Sequence, residues 1–267
     1  MALNYAAGSL AQRAADLCLM LWPRRRPSRD ALEHCRIVSH RGEHDNRRLR
    51  ENTLAAFAAA ADAGSWGVEF DVRWTRDLQP VVIHDPDTAR VFGPRIEIAA
   101  VEFDELRRHL PEIPRLDEVV RTFGGRQHLM VELKADSIGE DERKAARLAE
   151  IFAGLEAGDD YHFLALQESV LEPAGFAGRK ACLLVAETNT ARISRAVLDG
   201  NYGGLCGHYL LIGKRLLARH RAREQQLGTG FAASRFCFYR ELNRGIDWIF
   251  TNHARRLAAI RARLLQR

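Results

Sequence analysis

The chain is poor in the features that mark a disulfide scaffold, a zinc module or a membrane span. Among 267 residues only five are cysteine, at positions 18, 35, 182, 206 and 237. They are odd in number, widely scattered and free of any C-x-x-C pair. That pattern fits reduced thiols in a cytoplasmic setting and excludes a disulfide framework or a cysteine-based zinc site. No apolar run approaches membrane-spanning length. The N-terminal patch Leu17–Trp22 follows Arg13 and Asp16 and leads into Pro23-Arg-Arg-Arg26. It is too short to cross a bilayer and lacks the basic start and long apolar centre of a signal peptide. Its two readings are packing on the barrel or fraying, and lying as an interfacial amphipathic helix. The second makes peripheral membrane contact an expectation for residues 1–34, read as an N-terminal helical segment.

Also missing are internal repeats, low-complexity tracts and a strong excess of one charge. Forty Lys+Arg against thirty-five Asp+Glu leave only +5. The excess gathers in 213–223 and 253–267, in helix-like stretches with neither interleaved aromatic residues nor a recognisable nucleic-acid module. A nucleic-acid partner is therefore not expected. A solvated helix face and an anionic partner or membrane surface remain as readings of these arginines. Oligomeric state leaves no mark on the sequence.

What is present is alternation. Short apolar runs at 35–40, 67–75, 80–85, 128–135, 161–167, 180–187, 203–209, 227–232 and 246–251 are separated by helix-like stretches. The clearest helix is 53–63, where Leu54, Phe57, Ala58 and Ala61 share a face between Asn52 and Gly64. Others are expected at 102–110, 140–156, 188–199, 213–226, 234–244 and 253–265. Strand–helix alternation implies a parallel sheet packed under helices. Nine strands, two of them close neighbours, in a length near the roughly 250 residues of an eight-stranded α/β barrel, favour a closed (β/α)8 barrel over 35–267. The proline-rich stretch 86–115 interrupts the rhythm and is expected as a small insertion.

The polar residues are placed suggestively. His40 with Arg41, Glu69 with Asp71, His84, and Glu132 with Lys134 fall toward the ends of predicted strands, which in a barrel converge on one mouth. Glu69 and Asp71 stand two apart and so point to one side, while Val68, Phe70 and Val72 face the helices. Two carboxylates inside a barrel repel and lose solvation unless compensated. A hard divalent cation with oxygen ligands, Mg²⁺, Ca²⁺ or Mn²⁺, supplies the compensation. Exposed acids on an edge strand are the plain alternative. Glu132 and Lys134 repeat the spacing, either as a third ligand and a phosphate anchor or as an internal ion pair. Two histidines beside a cation and an arginine suit phosphoester hydrolysis, one taking a proton and the other giving one. The remaining histidines are read as ordinary surface or core residues.

These residues in this order resemble the glycerophosphodiester phosphodiesterase (GDPD) family. The matching pieces are His40-Arg-Gly42, Glu51-Asn-Thr-Leu-Ala-Ala-Phe57, Gly67-Val-Glu-Phe-Asp71, Thr75-Arg-Asp77, Pro80-Val-Val-Ile-His-Asp85, Ile113-Pro-Arg-Leu-Asp-Glu118 and Val131-Glu-Leu-Lys134. A weaker echo follows at Gly245-Ile-Asp-Trp-Ile-Phe-Thr251. The resemblance implies a barrel of the phospholipase-C-like phosphodiesterase type. It also implies one divalent cation and hydrolysis of small-molecule glycerophosphodiesters to an alcohol and glycerol 3-phosphate. By the same resemblance Glu69, Asp71 and Glu132 match metal ligands, His40 and His84 the acid–base pair, and Arg41 and Lys134 phosphate contacts. Glu51 and Asn52 match a neighbouring motif, expected to brace the His40 loop.

Three departures stand out: Arg50 before Glu51 where the family has proline, Leu227-Gly-Thr-Gly-Phe-Ala232 in place of Trp-Thr-Val-Asn, and Thr251-Asn-His-Ala254 in place of Thr-Asp-x-Pro. They are expected on the rim, where they bear on the alcohol recognised rather than on the chemistry. Two other functions stay open. One is a lysophospholipase D or sphingomyelinase-D-like phosphodiesterase acting on lipids, opposed by the long gap between His40 and Glu69 and by Glu rather than Asp at 132. The other is an inactive barrel serving as a binding module, opposed by the presence of every polar position named above.

Overall fold

The computed structural model of the protein describes residues 21–135 and 141–266. All nine apolar runs form strands: β1 Ile37–His40, β2 Gly67–Trp74, β3 Pro80–Val82, β4 His128–Leu133, β5 Tyr161–Ala165, β6 Cys182–Ala186, β7 Gly204–His208, β8 Gln226–Gly230 and β9 Trp248–Thr251. Eight of them are parallel and close on themselves, β9 pairing with β1 and β1 with β2. The chain is thus an α/β protein with a closed eight-stranded barrel.

β3 is the exception and corrects one expectation. It pairs antiparallel with β2, Val72 opposite Val82, so it is a hairpin arm outside the barrel count. His84 therefore does not end a barrel strand. The hairpin folds back along β2 and delivers it near Asp71, whose carbonyl oxygen accepts from Ile83 N at 2.9 Å.

Alternation along the strands builds two apolar layers. Val68, Phe70, Val72, Leu129 and Val131 point outward against the helices. Val38, Met130, Leu164, Leu183, Trp248 and Phe250 point inward and fill the barrel. Each large side chain so buried contributes about 1.5–3 kcal/mol. The outer layer lies beneath α1 Arg29–Glu33, α2 Leu54–Asp62, α5 Leu116–Phe123, α6 Asp141–Phe152, α7 Thr190–Asp199, α8 Lys214–Arg221, α9 Arg235–Arg244 and α10 Ala254–Leu265. Hydroxyl side chains cap three of these helices, Ser28 Oγ accepting from Ala31 N at 3.1 Å to start α1. Thr53 Oγ1 accepts from Ala56 N at 3.2 Å to start α2, and Ser234 Oγ accepts from Cys237 N at 3.2 Å to start α9.

Between β3 and α5 lie α3 Ala89–Phe92 and α4 Phe103–His109, which enclose a separate apolar cluster of Val81, Ile83, Phe92, Ile98, Leu106 and Ile113. α5 is a helix the periodicity does not announce. Glu118 reaches back to Arg115 N at 2.8 Å to cap it, directly after Pro114. The β5-to-β6 crossover likewise lacks the regular helix of its neighbours and passes through a 3₁₀ stretch, Glu168–Ala177, which contains Pro173.

No helix among the described residues is long and apolar enough to cross a membrane. Leu21 and Trp22 are exposed; residues 17–20 of that patch lie outside the described residues. The basic α10 does more than face solvent. Arg261 donates to the carbonyl oxygens of Leu32 at 2.7 Å and Glu33 at 3.0 Å, meeting the open C-terminal end of α1.

Candidate active site

Glu69 and Asp71 stand two apart on β2 and project into the barrel, 2% and 0% exposed. Parallel pairing places Glu132 of β4 directly beside Asp71. Ligand oxygens of the three acids lie within 4.8 Å of one another. Bonds of roughly 2.0–2.6 Å to a hard cation require its ligands to stand no more than about 5.2 Å apart, so one ion fits between them. Glu69 Oε1 is buried and has no hydrogen-bond partner among the described residues. An orphaned buried carboxylate oxygen costs a few kcal/mol, and a cation removes that cost.

The charges around these acids are unevenly shared. Lys134 Nζ pairs with Asp71 Oδ1 at 2.7 Å and with Glu132 Oε1, and Arg41 Nε lies 3.1 Å from Asp71 Oδ2. Burial works against the Asp71 charge, yet Lys134 and Arg41 outweigh it and hold this carboxyl well below the usual range. Glu69 has the opposite balance. Burial, then the charges of Asp71 and Glu132, push it well above the usual carboxylate range. Burial also disfavours the Lys134 charge, but Asp71 and Glu132 keep the ammonium above its ordinary value. Fully ionised, the three acids exceed Arg41 and Lys134 by one charge, and a dication held by them would leave one positive charge to meet an anionic ligand.

Arg41 and Asn52 both sit in the left-handed region, φ +58° and +57°. The strain is held by the turn itself. Arg41 N donates to the backbone oxygen of Glu69 at 2.7 Å, and Asn52 N donates to that of Arg41 at 3.0 Å. Asn52 Nδ2 then donates to Asp71 Oδ2 at 2.9 Å, while Glu51 accepts from Arg41 Nη1 at 2.9 Å. Gly42, at φ +78°, packs so closely on α2 that a Cβ there would lie 2.7 Å from the carbonyl carbon of Ala56. Glu51 and Asn52 thus tie the turn after β1 to α2 and to an acid of the cluster.

His40 ends β1 with its Nε2 3.7 Å from Glu69 Oε2. Its Nδ1 donates to Asn252 Oδ1 at 2.6 Å, and its ring leans on Phe231 with centroids 4.6 Å apart. Burial, then the charge of Arg41, pushes this imidazole down to about 3. Asn252 and Phe231 belong to the two segments expected on the rim, remote from the chemistry. They touch a candidate catalytic ring instead, because β8 and β9 close the barrel against β1.

His84 Nδ1 lies 2.6 Å from Asp85 Oδ1. Arg90, from α3, donates to Asp85 and also to Glu51 Oε1 at 2.7 Å. A residue of the insertion thus joins the two halves of the site, a link for which the sequence carries no spacing signal. His40, Arg41, Glu69, His84, Glu132 and Lys134 all open on one cavity of about 600 Å³. His208, read as an ordinary residue, also lines it.

Residues 40–156 match the model of the Glycerophosphoryl diester phosphodiesterase family. Over 111 residues the chain is 31% identical to a glycerophosphodiester phosphodiesterase of Caldanaerobacter subterraneus, covering 37% of this chain and 45% of that protein. Over 92 residues it is 36% identical to glycerophosphodiester phosphodiesterase 1 of Rattus norvegicus, covering 32% and 27%. The chain spans less than half the length of these curated relatives. Among solved structures, a glycerophosphodiester phosphodiesterase from Thermotoga maritima superposes with TM-score 0.71 at 24% identity, covering 85% of this chain and 98% of that one. An Oleispira antarctica phosphodiesterase in complex with the product sn-glycerol-3-phosphate gives 0.70 at 20% identity, covering 86% and 98%. At these identities the structural likeness is one of fold.

Proposed function

The chain belongs to the glycerophosphoryl diester phosphodiesterase family, and on that premise we propose that it hydrolyses glycerophosphodiesters to an alcohol and glycerol 3-phosphate. The observation that carries the proposal is the clustering of Glu69, Asp71 and Glu132, of which Glu69 and Glu132 line the same cavity as His40 and His84. The product bound to the Oleispira antarctica relative supports the choice of substrate.

Glu69, Asp71 and Glu132 would hold the cation, Mg²⁺ or Ca²⁺ with Mn²⁺ as a third candidate, and that ion would supply Lewis-acid stabilisation of charge on the phosphoryl oxygens. Lys134 and Arg41 face the same cavity and share that work once their carboxylate partners are engaged. His40 commits its Nδ1 proton to Asn252, which leaves the Nε2 lone pair free to take a proton from water or from the glycerol hydroxyl beside the phosphate. His84 carries a carboxylate at Nδ1, the arrangement suited to a ring that bears a positive charge before protonating the departing oxygen. Glu51 and Asn52 keep the Arg41 turn in place without touching the reacting atoms.

The test is release of glycerol 3-phosphate from several glycerophosphodiesters after chelation and re-addition of Mg²⁺, Ca²⁺ or Mn²⁺. The proposal requires loss of turnover with chelator and recovery with at least one ion. Full turnover in chelator, or none with any ion, contradicts it.

The exposed Leu21 and Trp22 beside arginines 24–26 support a peripheral contact with an anionic membrane surface. That contact would appear as co-sedimentation with anionic vesicles and would weaken in Trp22→Ala; equal recovery in the supernatant with and without vesicles sinks it. The buried thiols of Cys35, Cys182 and Cys206, outside any disulfide, support a reducing, cytoplasmic setting.

A further inference from the structure

Two of the side chains placed above in the chemistry take their orientation from carboxylates. His84 meets Asp85 through Nδ1 at 2.6 Å, and Arg41 donates to Glu51 at 2.9 Å. Asp85 follows the β3 hairpin and Glu51 precedes α2, and one guanidinium spans them. Arg90 Nε donates to Asp85 Oδ2, while Nη2 and Nη1 donate to Glu51 Oε1 and Oε2 at 2.7 and 3.1 Å. A guanidinium is a rigid planar fork, so two carboxylates on its separate edges are held at a fixed spacing and angle.

The two ends of this bridge are unequal. Glu51, its side chain 4% exposed, also accepts from Arg41 and Asn46 and is the anchored end. Asp85 is 22% exposed, with the His84 ring on one oxygen and Arg90 on the other. Arg90 is carried by α3, whose Phe92 is buried in the apolar cluster of the insertion. The described residues lining the cavity do not include Arg90, and its Nε and both Nη atoms point at carboxylates, so it reaches the reaction only through its neighbours. Arg73 secures the main chain of the same histidine, its Nε donating to the His84 carbonyl oxygen at 2.7 Å. That bond leaves the ring torsions of His84 free. Asp85 sets them, and Arg90 sets Asp85.

We propose that Arg90 is a positioning residue for the proton donor: the Glu51–Arg90–Asp85 bridge aims the His84 ring at the departing oxygen, and through this side chain the insertion takes part in the reaction. The inference rests on the phosphodiesterase reading above, in which His84 protonates that oxygen. In that step water or the glycerol hydroxyl forms the new P–O bond as the P–O bond to the alcohol breaks. The proton passes from His84 to the alcohol oxygen, and the imidazole is left neutral with Asp85 still at its Nδ1. Without Arg90 the carboxylate of Asp85 loses its second anchor, and the ring samples orientations that miss the leaving oxygen.

The experiment compares two esters of glycerol phosphate with the same metal: glycerophosphocholine and the p-nitrophenyl ester. Choline needs a proton as it departs, whereas p-nitrophenol is acidic enough to leave as its anion. Arg90→Gln should lower kcat for glycerophosphocholine by about 10–100-fold with KM little changed, and should leave the p-nitrophenyl ester close to the parental rate. Adding Arg90→Gln to His84→Gln should lower the rate no further than His84→Gln alone, because residues that act as one unit are not additive. Should Arg90→Gln melt far below the parent, Arg90→Lys, which keeps the charge and one of the two pairings, goes through the same comparison. Equal losses with both esters make Arg90 a support of the whole site and overturn the inference. So do losses that multiply in the double variant, or parental kcat for glycerophosphocholine in Arg90→Gln; in all three cases the phosphodiesterase reading stands. A parent that cleaves neither ester with any ion defeats that reading and the inference together.

Discussion

The carboxamide of Asn252 holds the ring of His40: Oδ1 accepts from Nδ1 at 2.6 Å. One residue follows the last barrel strand and the other ends the first, so barrel closure itself orients the candidate base. Losing such a partner of an active imidazole typically costs 10–100-fold, about 1.4–2.7 kcal/mol. Asn252→Ala should lower kcat by that factor while the melting-temperature response to added metal is retained, and Asn252→Asp, which keeps an acceptor, should recover most of the rate. An alanine variant with parental kcat removes Asn252 from the mechanism.

The acid cluster makes a prediction independent of turnover. Glu69, whose carboxyl is pushed up by burial and by its two acidic neighbours, is the least stable member of the metal-free cluster. Glu69→Gln relieves that repulsion and should melt no lower than the parent in chelator. Added divalent cation at one hundred times its dissociation constant should stabilise the parent by about 2.7 kcal/mol, a rise of roughly 5–10 °C for a chain of this size. The variant should show little of that rise. An equal rise in both proteins would place the ion elsewhere.

His84 is argued to act on the departing oxygen rather than on the ion. His84→Gln should lower turnover by about 10²–10⁴-fold with the metal-induced rise in melting temperature preserved. Loss of that rise would make His84 a ligand instead.

Much of this was legible along the chain. The strand positions followed from short apolar runs, and the inward aim of Glu69, Asp71 and Glu132 followed from the two-residue period of a strand. What escaped depended on pairing and closure. The antiparallel sense of β3 is set by its tight connection to β2, whereas apolar content alone reads the same in either direction. α5 begins against Pro114 and takes its cap from Glu118, so its start resembles a loop. Phe231 and Asn252 are far from His40 in sequence and meet it only because β8 and β9 complete the circle. Arg90 reaches Glu51 and Asp85 from the insertion, where no periodic pattern foretells a contact.

The barrel floor carries a pH dependence of its own. His128 Nε2 and His162 Nδ1 lie 2.7 Å apart, and Trp66 stacks on His128 with centroids 4.3 Å apart. Burial pushes His128 down to about 4, and burial with the His128 charge pushes His162 down to about 3. In the folded protein these rings resist protonation, while in the unfolded chain they take protons near 6.5. Their contribution is therefore complete above pH 6.5 and is lost as the pH falls through 6.5 toward 4 and 3, by an amount on the order of a few kcal/mol. Urea unfolding at pH 7 and pH 5 should show the drop, and His162→Gln should shrink it. A parent with equal stability at both pH values contradicts the assignment.

The central claim is that Glu69, Asp71 and Glu132 share one divalent cation between the two histidines. An anomalous difference map from crystals soaked in Mn²⁺ tests it directly. The account predicts one strong peak roughly 2.0–2.6 Å from an oxygen of each acid. A peak bound by other residues, or no peak there in protein that still cleaves the diester, would contradict it.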